Sequence, residues 1–140
     1  MRRTQMIIID SIYTLPQTEY DEIWNIARMN VPEKFTVWHP NILVKHVTDL
    51  APSTSLFELY LKLKREGKWS HKTFDALYKP KFFKQIDTDM FAQDALQALI
   101  NLHNNGKKIA LVCFCHDVRT CHRSLISEIL TRRGIPNKLT

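Results

Sequence analysis

A chain of 140 residues, 44% hydrophobic and 24% charged, is sized for a single domain spanning 1–140 with a core that needs no disulfide staples. The opening MRRTQMIIID has too short an apolar run for a secretion signal, no stretch reaches membrane-spanning length, and three clustered cysteines point to reduced thiols in the cytoplasm rather than a disulfide framework. A net charge of +6 favours an anionic partner, a small molecule or a nucleic acid, over a membrane.

QMIIIDSIY, residues 5–13, is rich in β-branched and aromatic residues and predicts a first strand. After a loop with Pro16, EIWNIARM at 22–29 fits a buried strand or a short helix, and its shortness and abrupt end at Asn30 to Pro32 favour strand. FTVWHPNILVKHVTDLAP is broken by Pro40 and Pro52 and reads as loop with one short extended piece. Ser53 or Thr54 can cap a helix through SLFELYLKLKRE, with Gly67 as its stop. Ser70 can cap a second, short helix, HKTFDALY, expected to end near Pro80. A third is expected from a cap at Asp87 or Thr88 through MFAQDALQALINLH to Gly106. The seven apolar residues Ile109 to Cys115 predict a central strand covered on both faces. CHRSLISEILTRR then predicts a helix stopped by Gly134, and IPNKL a final strand. Strand, turn, helix and strand make a βαβ unit, so the fold class is α/β, with a largely parallel central sheet flanked by helices. Ligands in such sheets bind at the carboxyl ends of the strands.

CFCHDVRTCHRSL, residues 113–125, lies at that edge and holds every cysteine of the chain. On a strand, Cys113 and Cys115 share a face. On the helix, His122 falls within the apolar stripe and faces the sheet, while Cys121 and Arg123 fall at its borders. An arginine in the first helical turn opposes the helix dipole unless an anion offsets it. Together with the free N–H groups of that turn, it makes an anion site. Each residue also has a structural reading: the cysteines as small core residues, His122 as a buried hydrogen-bonding group. A Cys₃His zinc site from Cys113, Cys115, Cys121 and His122 is a third possibility. It is disfavoured because strand residues two apart have Cα atoms roughly 6.5 Å apart. Cys113 and Arg119 match the C-x₅-R spacing of a phosphatase loop, but the intervening residues lack the glycine that such a loop needs.

ALVCFCHDVRTCHRSLISEIL resembles the C-terminal signature of the family catalogued as domain of unknown function 488: an apolar strand ending in cysteine, a short loop, then Cys-His-Arg before an apolar helix. VTDLAPSTSLFELYLKLKREGKWSHKTFDALY is similar to the family's Leu-Ala-Pro-Ser segment and the elements after it. EIWNIARM resembles its strand ending in arginine, with Met29 where an aromatic residue usually stands. The resemblance runs from about Ile23 to Leu130. It implies an α/β fold and a pocket at the Cys-His-Arg turn, marks Arg28, Cys121, His122 and Arg123, and supports strand for EIWNIARM.

The expected function is binding or processing of a phosphate-bearing ligand, a nucleotide or nucleic acid, without a resident cofactor. Arg28, Arg123, Ser124 and Cys115 are the candidate ligand-binding residues. If the chain is an enzyme, Cys121 is the candidate nucleophile, with His122 or His116 as its base. The alternatives are a non-catalytic interaction module with structural cysteines and a small zinc-containing regulator.

Overall fold

The computed structural model describes residues 5–30, 44–115 and 117–140. The strands are β1 (Ile7–Ser11), β2 (Glu22–Asn25), β3 (Val44–His46), β4 (Ile109–Cys113) and β5 (Asn137–Leu139), and the four helices longer than one turn are α1 (Thr54–Arg65), α2 (Lys79–Thr88), α3 (Met90–Asn104) and α4 (His122–Arg132). The strands form one parallel sheet in the order β3-β2-β4-β1-β5. The α/β class read from the sequence is therefore the architecture of the protein. β4 is the centre of the sheet and is wholly buried, because β1 and β2 pair with its two edges.

Two connections carry the helices: β3 to β4 through α1, α2 and α3, and β4 to β5 through α4. Both move the chain in the same direction along the sheet, and crossovers of one hand then lie on one face. All four helices accordingly share a core cluster with Ile7, Ile9, Leu111 and Cys113. The opposite face holds Ile23, Ala110 and Val112, covered by Ile12, Leu15 and Tyr20 from the segment after β1.

Local chemistry explains where the helices start and stop. The Ser53 side chain accepts from the Leu56 N–H and caps α1. Gly67, at φ +67°, turns the chain through the left-handed region, so that the Lys68 N–H reaches back to the Leu63 carbonyl. Ser70 and Thr73 form a reciprocal capping box. The helix that it opens does not end at Pro80. It passes through a single turn, His71–Thr73, and a π-helical turn, Phe74–Tyr78, and continues as α2. The Lys79 N–H bonds to the Phe74 carbonyl, five residues back. This wider turn relieves the clash that a proline ring makes with the backbone of a regular helix, and Pro80 is accommodated in the first turn of α2. Asp89, rather than Asp87 or Thr88, caps α3 by accepting from the Phe91 N–H.

The segments at the carboxyl edge also differ from their expected extents. β2 stops at Asn25, and β4 stops at Cys113 rather than Cys115. Helix α4 starts at His122 with Cys121 as its N-cap residue. Most of FTVWHPNILVKHVTDLAP lies outside the described residues; its short extended piece is β3. Among the described residues no helix is long and apolar enough to cross a membrane.

Candidate functional site

The carboxyl edge of β4 sits between those of β1 and β2, with Ser11 beside Cys113 and Asn25 beside Val112. Beyond β2 the chain is held in a tight turn by polar side chains, one of them the buried Asn25. The Asn25 side chain accepts from the Ala27 N–H and donates to the Met29 carbonyl at 2.7 Å, and His46 Nε2 lies 2.7 Å from the Ala27 carbonyl. This clamp presents Arg28 to a cavity of about 260 Å³. Phe57, Tyr60, Trp69, Tyr78 and Phe114 form its aromatic wall, and Cys115, Thr120 and His122 join the lining beside Arg28. The wall is braced ring on ring. Trp69 meets Tyr60 edge-on at 4.7 Å and Tyr78 at 5.6 Å, spacings at which such pairs attract. Tyr78 stacks on Phe82, which in turn meets the His122 ring at 5.7 Å.

Under the cavity the three cysteines converge. Their sulfurs all lie within 4.8 Å of one another, with Cys113 Sγ and Cys121 Sγ 3.2 Å apart. Cys113 and Cys121 are buried, whereas Cys115 is partly exposed. Hydrogen bonds from the Cys115 and Cys121 thiols, joined by one from Arg123, hold Cys113 well below the ordinary thiol range. The bond to Cys113 pushes Cys115 up to about 12. Burial, above all, raises Cys121 as well. Within the cluster Cys113 is thus the most acidic thiol.

Arg123 is the cation that answers it. Only 3% exposed, its Nη1 donates to the Cys115 carbonyl at 2.6 Å and to Cys113 Sγ at 3.3 Å, while its Nε donates to the Thr140 carbonyl at 3.1 Å. Burial opposes its charge, and the hydrogen bond to Cys113 together with the pull of all three sulfurs offsets that opposition. The partner that the first helical turn's arginine meets is therefore a sulfur of the chain itself. His122 Nε2 lies 2.7 Å from the Ile26 carbonyl. A carbonyl can only accept, so Nε2 carries the proton and Nδ1 is left with a lone pair, 3.8 Å from Cys121 Sγ. Burial holds this imidazole below its ordinary value, in the neutral form.

A family model described as the active DUF488-N3 subclade, DUF488-N3a, matches residues 9–134. The chain belongs to the DUF488 family. No curated protein and no solved structure matches it.

Within this DUF488 domain the sequence candidates separate into distinct places. Arg28, Cys115 and His122 line the cavity. Cys121 and Arg123 lie behind it, in the buried cluster. The Ser124 hydroxyl donates to the Cys121 carbonyl at 2.7 Å and secures the first turn of α4. His116 lies outside the described residues. The two arginines thus differ in setting: Arg28 belongs to the cavity, and Arg123 is bound into the turn beneath it. Sequence reasoning passed over Asn25 and His46, which shape the Arg28 turn, and the whole aromatic wall. A buried asparagine closing a strand just before Ile-Ala-Arg is a local signal that could have revealed the first of these. The Leu-Ala-Pro-Ser segment also gains a role. Leu50 and Ala51 are wholly buried, Pro52 lines the cavity, and Gln85 of α2 clamps the Ala51 carbonyl and the Ser53 N–H.

Proposed function

We propose that the cavity binds a small molecule combining a flat ring with an anionic, phosphate-type group, as in a mononucleotide or a nucleic-acid end, and that the sulfur cluster beneath it takes part in processing that ligand. The observation that carries this reading is the pairing of an aromatic wall with a single arginine and a thiol in one lining. Rings stack on aromatic side chains without needing a particular base, and a guanidinium meets phosphate through paired donors. The volume lies just below the usual range for ligand pockets, about 300–1,000 Å³, which suits one ring rather than a dinucleotide. With Arg123 committed to Cys113, Cys115 and Thr140, holding the anion falls to Arg28. Reduced thiols at the centre of the site fit a cytoplasmic setting.

Calorimetric titration with nucleoside monophosphates tests this. Arg28→Ala should weaken binding roughly 10- to 150-fold, the loss of one charged hydrogen-bonding group. Arg132→Ala, at the far end of α4, removes the same net charge and should leave affinity unchanged. Absence of binding, or equal losses in the two variants, would refute the reading.

A further inference from the structure

We infer that Cys113, Cys115 and Cys121 form a binding site for one soft divalent cation of the zinc class, with the remaining coordination position on the cavity side. Tetrahedral thiolate sites have metal–sulfur bonds of about 2.3 Å, which sets their sulfurs about 3.8 Å apart. The observed cluster brackets that spacing, with one pair at 3.2 Å and all pairs within 4.8 Å, so small side-chain rotations bring the three into register. Two of the sulfurs are buried, and the third, Cys115, reaches the cavity lining. A cation held here is closed on the protein side and open toward a ligand, the arrangement of metal sites that act on substrates.

Charge supports the same assignment. Burying three thiolates alone is prohibitive, and burying a guanidinium without a counter-charge is costly. Three thiolates around a divalent cation carry one net negative charge, and Arg123, 3% exposed with its Nη1 on Cys113 Sγ, supplies the matching positive one. The same Nη1 donates to the Cys115 carbonyl and fixes the backbone that presents the third sulfur. It is the kind of outer hydrogen bond that orients metal ligands. Neutral residues in place of Arg123 would leave the loaded site unbalanced.

The inference does not depend on what the cavity binds, and its test does not involve a cavity ligand. The full-length, reduced protein is stripped with chelator and titrated with cobalt(II) and then zinc. One equivalent of cobalt should produce an intense thiolate-to-cobalt charge-transfer band, zinc should abolish it, and zinc-loaded protein should melt at a higher temperature than stripped protein. Cys115→Ser alters a partly exposed side chain and spares the core. It should lose the band and weaken zinc binding by at least roughly 100-fold, since loss of mere outer-shell partners already costs 10- to 100-fold. Arg28→Ala should bind metal as the parent does, which separates this result from the nucleotide titration. Wild-type protein that gives no band and keeps three freely reactive thiols beside equimolar zinc would overturn the inference. So would a Cys115→Ser variant that binds cobalt and zinc unchanged.

Discussion

Replacing Arg123 by Met keeps most of the side-chain volume and removes the guanidinium donors from the turn. The structure sets the size of the effect. Two carbonyls, those of Cys115 and Thr140, lose bonds of 2.6 and 3.1 Å, and Cys113 Sγ loses its cation at 3.3 Å. A stranded acceptor costs about 1–3 kcal/mol, and both carbonyls lie in partly buried pairs, so about 1 kcal/mol each is appropriate. The sulfur escapes part of its penalty by taking up a proton, which limits that loss to about 1–2 kcal/mol. The sum, about 3–4 kcal/mol, is a large share of the stability of a typical domain and corresponds to roughly 10 °C in melting temperature. Urea denaturation of metal-free protein, followed by tryptophan fluorescence, measures it. A double-mutant cycle with Cys113→Ala then isolates the sulfur. An interaction energy of about 1 kcal/mol or more is expected. Additivity within about 0.5 kcal/mol would mean that Arg123 serves only the backbone, and the charge pairing with Cys113 would be refuted.

Two further perturbations address the turn and the helix that supports the cavity wall. His122 is held neutral by burial, below its ordinary value. The unfolded chain therefore binds the extra proton, and this contribution to stability is complete above about pH 6.5 and lost as pH falls toward the folded value. The depressed Cys113 adds a loss of the same sign below about pH 8.5, so the comparison is between variants: His122→Gln should flatten the dependence of the urea midpoint between about pH 6.5 and 5, and an unchanged slope would contradict a neutral buried imidazole. Ser70→Ala removes the side-chain half of the capping box, the Ser70 hydroxyl that accepts from the Thr73 N–H, and should cost about 1 kcal/mol, read as a lower melting temperature; a variant as stable as the parent would show that this cap is not needed.

The parallel sheet was legible because β4 is apolar at every position, as a strand covered on both faces must be. Its end was not. Hydrophobicity continues to Cys115, but pairing stops at Cys113, since β1 and β2 run out at Ser11 and Asn25. That difference decides the chemistry of the cluster. The 6.5 Å separation that argues against three sulfurs meeting at one point holds for a straight strand, and Cys115 has already left the ladder. Pro80 misled for a related reason: a proline forbids a regular helix, whereas a π-helical turn before it does not appear in any periodicity. The aromatic wall was illegible because its rings come from α1, the loop after it, the π-helical turn and the exit of β4, with no common spacing in sequence. The unusual position of Arg123 did register, as a cation in need of an anion, though not which anion the fold supplies.

The central position of β4 also governs the order in which the protein can be assembled. β1 has β4 and β5 as its neighbours, and Ile8 finds its partner in Ala110. β2 can join β3 early, Ile23 against Val44, but β1 and that pair remain unconnected until residues 109–113 leave the ribosome. Such long sequence separations make folding slow, and in the interval the exposed edges of β1 and β2 are available to other chains. Arg28 and the aromatic helices are synthesised well before the strand that brings the thiols beneath them. A growing chain thus acquires its cavity and its sulfur cluster in a single late event, when β4 slides between two strands that are already waiting.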